Sequence, residues 1–159
     1  MPNWCTNEVT IIGDEEDLTK FRNFVKSEKE PFSFQSVMPI PEELKGTRSP
    51  TTIVPQEEYD SWVDDTNLGV GKPITLEMSN RFEREYGFDN WYDWQTTNWG
   101  TKWDVSDVEM EDSISWVDYK FETAWSPPEG IYNELTKLFT TVDIIWFYRE
   151  DGVQIAGWL

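Results

Sequence analysis

The chain has 159 residues and carries 31 Asp and Glu against 13 Lys and Arg, a net charge of −18, with no His and one Cys. That length suffices for one domain with a sizeable core, and an aromatic share of 16% argues against disorder. The shortage of positive charge argues against direct contact with a phosphate backbone or an anionic membrane; the missing His removes the commonest general base and metal ligand, and a lone Cys5 builds neither an intrachain disulfide nor a Cys-ligated cluster.

Residues 4–12 alternate as a strand, with Cys5, Asn7, Val9 and Ile11 on one face and Trp4, Thr6, Glu8, Thr10 and Ile12 on the other. Asp14 is a candidate helix cap, and Glu15, Glu16 and Asp17 suit the positive end of a helix over residues 15–27. Leu18, Phe21, Phe24 and Val25 form its apolar stripe. The period of two in residues 32–38 predicts a second strand, ended by Pro39-Ile40-Pro41, with one helical turn at Glu42-Glu43-Leu44.

Residues 46–100 read as an insertion. A polar, Pro-bearing loop leads to a short acidic helix over 56–65, a Gly-rich loop, and a second helix over 75–86. Gly69-Val70-Gly71-Lys72 lacks the spacing of a phosphate-binding loop. The insertion closes on a segment, residues 89–104, that holds Trp91, Trp94, Trp99 and Trp103. Trp91 and Trp94 share a face if helical, and Gly100 ends that helix. These four rings are expected to act mainly as a structural anchor, with Trp99 and Trp103 buried; a platform for a ligand is the alternative.

A strand is expected over 102–110 and a clearer one over 114–123, where Val117, Tyr119 and Phe121 oppose Asp118, Lys120 and Glu122. Ser126-Pro127-Pro128 starts a helix over 128–139, with Ser126 the candidate cap and Ile131, Leu135, Leu138 and Phe139 its buried stripe. The almost continuous apolar run from Val142 to Tyr148 predicts a central strand buried on both faces, and residues 153–159 a last strand. The whole is a single α+β domain: a ferredoxin-like split βαβ antiparallel sheet with helices on one face, its core in residues 1–45 and 101–159 and an aromatic-rich insertion between.

Four segments, Met1-Pro2-Asn3-Trp4-Cys5-Thr6-Asn7, Met38-Pro39-Ile40-Pro41, Asn98-Trp99-Gly100-Thr101-Lys102-Trp103 and Thr123-Ala124-Trp125-Ser126-Pro127-Pro128, resemble in order the YubB-like family, uncharacterised proteins of phages and conjugative plasmids with a ferredoxin-like domain. The resemblance spans nearly the whole chain. It implies the fold and a mobile-element origin, and it brings no catalytic residue.

No apolar run approaches the length of about 18 residues that spans a membrane, and no basic segment precedes an apolar one at the start. The expectation is a protein of the host cytoplasm. The acidic candidates for contact with a partner are Asp60, Asp64 and Asp65 in the insertion and Asp107, Glu109 and Glu111 after it. Val105, Asp107, Glu109 and Glu111 are expected on one strand face, with carboxylates about 6.6 Å apart, near the spacing of DNA phosphates. Asp104, Asp107, Glu109, Glu111 and Asp112 have oxygen ligands for a hard cation, but no metal-loop motif is present, and neither metal nor cofactor is expected. The function read from these features is a non-enzymatic acidic module that binds a basic host protein, by imitating DNA before a nucleic-acid-binding or defence protein. The alternatives are a carboxylate- and metal-dependent enzyme acting on nucleotides or phosphoesters, and an assembly component.

Overall fold

The computed structural model describes residues 1–62 and 71–159. In chain order the elements are β1 (Trp4–Ile12), α1 (Glu15–Val25), α2 (Phe34–Val37), a 3₁₀ turn (Glu42–Leu44), α3 (Gln56–Ser61), α4 (Leu76–Tyr86), α5 (Trp91–Asn98), β2 (Glu109–Asp112), β3 (Trp116–Ala124), α6 (Glu129–Leu138), β4 (Asp143–Glu150) and β5 (Ile155–Trp158). They form two compact units, one of residues 1–39 and 98–159 and one of residues 40–97.

The first unit is built on a sheet of order β2-β3-β1-β4-β5, every neighbouring pair antiparallel. β3 lies between β1 and β2, and β1 lies between β3 and β4. Each βαβ unit, β1-α1-β2 and β3-α6-β4, is thus split by a strand of the other, which is the ferredoxin-like plan with β5 added at one edge. One face of the sheet is the core. Cys5, Asn7, Val9 and Ile11 on β1, Val117, Tyr119 and Phe121 on β3, and Trp146 on β4 are all buried, as alternation predicts for β1 and β3. Both long helices cover this face: Phe21 of α1 meets Tyr119 at 6.3 Å, Tyr132 of α6 meets Trp146 at 6.1 Å, and Phe21 and the ring of Phe139 close the gap at 4.9 Å. Phe32 sits among Tyr119, Phe121 and Trp146, with ring centroids 5.1, 5.3 and 6.2 Å away.

Asn7 satisfies the polar needs of this core. Its amide N–H groups donate to Cys5 O at 3.0 Å and Thr123 Oγ1 at 2.9 Å, and its Oδ1 accepts from Trp146 Nε1 at 3.0 Å. Glu150, also buried, accepts from the backbone N–H groups of Gly152 and Val153, both at 2.8 Å, and so shapes the turn into β5.

Several expectations are corrected. Residues 32–38 are not a strand: the chain turns into α2 at Phe34 because the Asp104 carboxylate accepts from Ser33 Oγ at 2.7 Å, Phe34 N at 2.7 Å and Gln35 N at 3.2 Å. The second strand of the plan is β2, far along the chain, so the insertion lies between α1 and β2. The strand expected over 102–110 starts only at Glu109, because Asp104 is drawn to α2 and the Glu30 carboxylate takes the backbone N–H groups of Asp107 and Val108 at 2.9 and 3.1 Å. β4 is covered on one face only, leaving Ile145 exposed. Asp14 stands at the N-cap of α1 without a side-chain cap bond, and Pro128, not Ser126, is the N-cap of α6. Ser126 Oγ donates instead to Gly100 O at 2.6 Å.

Gly100 has the left-handed conformation expected just past a helix end, φ +87°, and a Cβ there would stand 2.9 Å from Glu129 N. Gly130 is tighter: a Cβ would meet Asn98 O at 1.7 Å, so only glycine lets the start of α6 cross this strand of backbone. Trp99, beside Gly100, donates from Nε1 to Met38 O at 2.8 Å and packs edge-on to Phe34.

The second unit holds α3, α4 and most of α5, with bridges Thr47–Lys72 and Ile53–Ile74. α4 is capped by Thr75, whose hydroxyl accepts from Met78 N at 3.2 Å, and ends on Gly87 at φ +81°. Arg81 of α4 grips Glu43 in two parallel bonds of 2.9 and 2.6 Å, and Tyr86 OH donates to the same carboxylate at 2.8 Å.

Candidate protein-binding face

On the sheet face opposite the helices, Glu8, Ile12, Lys120 and Ile145 are exposed. Residues that alternation turns away from the core come together there, and the register fixes who faces whom. Glu109 lies opposite Lys120, which in turn lies opposite Glu8; Glu111 lies opposite Asp118. These five positions, with Thr10, line a groove of about 560 Å³. Thr10 Oγ1 donates to Asp118 Oδ1 at 2.6 Å and holds it in place. Glu111 against Asp118 is a like-charge pair directly across two strands, an arrangement that costs stability. Across β1 the face turns apolar: Ile12 and Ile145 are exposed, and Phe147 packs on the exposed Trp158 with centroids 5.0 Å apart.

At the end of the same sheet stand three half-exposed Trp rings. Trp4 is 46% exposed, Trp103 40% and Trp125 48%. Trp103 and Trp125 stack with centroids 6.1 Å apart and an interplanar angle of 29°. Lys102 Nζ lies 4.4 Å from the centre of Trp103 and 5.7 Å from that of Trp125. Trp4 and Trp103 wall a cleft of about 250 Å³ whose lining includes Glu122 and Asp104. Trp125 has φ +65°, a conformation rare for a bulky residue, and is pinned there by its N–H to Asn3 O at 2.9 Å and by Ser126 N to Ala124 O at 2.9 Å.

The acidic candidates divide accordingly. Glu109 and Glu111 share the outer face of β2, as expected. Asp107 does not join them: it precedes β2 at φ +54°, in the turn that Glu30 holds. Val105 is buried, so the row of carboxylates on one strand has two members, not three. Asp60 is exposed on α3 of the second unit and accepts from Gln56 Nε2 at 2.8 Å. Asp64 and Asp65 lie outside the described residues. Of the aromatic candidates, Trp94 and Trp99 are buried, Trp91 is half-buried with its ring edge-on to Tyr92, and Trp103 departs from the expected burial. Trp125 escaped sequence reasoning because a strand-to-helix junction gives no sign of a positive φ. Among the described residues no group of three or more acidic or Cys side chains is arranged to hold a metal ion, and no helix is long and apolar enough to cross a membrane.

The strand order and the two split βαβ units set the comparison with known proteins. Residues 98–158 match the family model of the ferredoxin-like domain in Api92-like protein. The match begins at the end of α5 and takes in β2, β3, α6, β4 and β5. The crystal structure of a protein Api92 from Yersinia pseudotuberculosis is similar over 99% of this chain and 93% of that chain, with a TM-score of 0.59 and 14% sequence identity. At that identity the likeness to Api92 is one of fold. No curated protein matches the sequence.

Proposed function

We propose that this chain is a non-enzymatic, acidic protein-binding module of a phage or conjugative plasmid, and that it occupies the basic surface by which a host nucleic-acid-binding or defence protein holds DNA. The observation that carries the reading is the Glu111–Asp118 pair on the face opposite the helices, flanked by Glu109 and Glu8. Like charges opposed across strands work against folding, and a net charge of −18 far exceeds the magnitude of about 2–8 that solubility asks of a small domain. A basic partner relieves that repulsion on binding and is steered to it over a distance. The resemblance of four sequence motifs to a family of phage and plasmid proteins is what suggests the mobile-element setting.

The test is competition. Proteins captured from host lysate at low salt should be released by added duplex DNA and by about 0.5 M salt, where the field is screened within a few ångströms. Glu109→Lys with Glu111→Lys should abolish capture without lowering the melting temperature, since both side chains are exposed on an edge strand. Asp107 is left unchanged because its left-handed backbone tolerates Asp better than Lys. Capture that is indifferent to salt, or that coexists with bound duplex, overturns the reading.

A further inference from the structure

Trp125 holds a backbone conformation that bulky residues rarely adopt, φ +65°. A left-handed conformation strains a bulky residue, and the ring stays half exposed. Such strain persists only where the surroundings impose it. Here they do: Thr101 Oγ1 donates to Ala124 O at 3.0 Å, Ser126 Oγ to Gly100 O, and Thr123 Oγ1 to Ser126 O at 2.7 Å, so that the two chain segments carrying Trp103 and Trp125 are sewn together. The product of this stitching is the exposed stack of Trp103 on Trp125.

A cation already uses that stack. The Lys102 ammonium lies within cation–π distance of both rings. The neighbouring cleft has Trp4 and Trp103 for walls and the exposed carboxylate of Glu122 in its lining, whereas Asp104 in the same lining is committed to α2. Aromatic faces together with a free carboxylate match a planar guanidinium, which stacks on rings and takes a carboxylate through two parallel N–H bonds; an ammonium does the first less well and the second not at all.

We propose that the cleft between Trp4 and Trp103 is a subsite for an arginine side chain of the basic protein partner, with Glu122 as its carboxylate, Trp125 as the residue that positions Trp103, and Lys102 as an internal cation that competes for the same rings. The proposal rests on the basic-partner reading above and adds to it a preference that charge alone does not give.

The probes are a short oligoarginine peptide and an oligolysine peptide of equal length and charge, titrated into the full chain at low salt with Trp fluorescence and indole N–H shifts as readouts. Oligoarginine should bind roughly five-fold or more tightly than oligolysine, with the indole signals of Trp4 and Trp103 moving. Trp125→Gly, which suits φ +65°, should leave the protein folded, with a cooperative melting transition, and erase the preference; Glu122→Gln should reduce it. Lys102→Gln should tighten oligoarginine binding more than Lys120→Gln does, although each removes one positive charge. Equal binding of the two peptides, or a preference that survives Trp125→Gly, overturns the arginine subsite and leaves the acidic face standing. Failure of both peptides to bind at low salt overturns the basic-partner reading itself, and the subsite with it.

Discussion

At the scale of single residues, the core is decided by how its few polar atoms are treated. Asn7 spends both functions of its amide on the core, and its removal would leave Trp146 Nε1 without an acceptor. Tyr119 is the opposite case. Its ring is fully packed, but its buried hydroxyl has no hydrogen-bond partner among the described residues. Burial pushes its phenol well above the usual value, so it stays protonated. Tyr119→Phe keeps the ring contacts with Phe21 and Phe32 and removes a polar group that gains nothing there. The expected outcome in denaturant titration is a protein as stable as the parent or more so, by up to about 2 kcal/mol; a clear loss of stability would show that the hydroxyl is satisfied. Burial likewise pushes the Cys5 thiol up, which makes it an inert core residue and not a nucleophile.

At the scale of elements, the 3₁₀ turn at Glu42–Leu44 and α4 are joined by one carboxylate. The guanidinium of Arg81, and then the hydroxyl of Tyr86, hold Glu43 at a pKa of about 2, below the ordinary 4.5. A depressed folded-state pKa stabilises the fold above the unfolded value, and the contribution fades as pH falls through the folded one. Glu43→Gln should therefore melt below the parent at neutral pH, and the gap should close between pH 4.5 and about 2. Melting curves of the two proteins across that range check this; a gap that is constant with pH would mean the clamp carries no linkage. Local pattern sufficed to place β1, α1, α4, β3 and α6, because their faces repeat with the period of the element and meet a core on one side only, although in α6 only Ile131 and Leu135 of the expected stripe are buried and Leu138 is exposed. It failed where a distant carboxylate decides the backbone. Phe32 to Val37 alternates like a strand, but Asp104 holds its N–H groups from across the unit. The same holds for the site: Glu109 and Glu111 were legible from spacing, while the partnership of Trp4, Trp103 and Trp125 depends on a turn geometry that no spacing encodes.

At the scale of the whole molecule, the charge of −18 opposes compaction everywhere at once. Raising salt from about 0.01 to 0.15 M shortens the screening length from roughly 30 to 8 Å, so the melting temperature should climb by several degrees over that range, and more with a basic ligand than with simple salt at equal ionic strength. A melting temperature insensitive to salt would show the acids to be locally compensated. The topology has a separate consequence. Trp99 Nε1 bonds to Met38 O, so the chain leaves the sheet unit and returns to it at one point. Residues 40–97 fall between those two points of the sequence, and the entropy of closing a loop grows only with the logarithm of its length. An ancestor could therefore exchange this cassette for a longer or shorter one while the strand pairing stayed as it was: inheritance of the sheet and inheritance of the insert are separable.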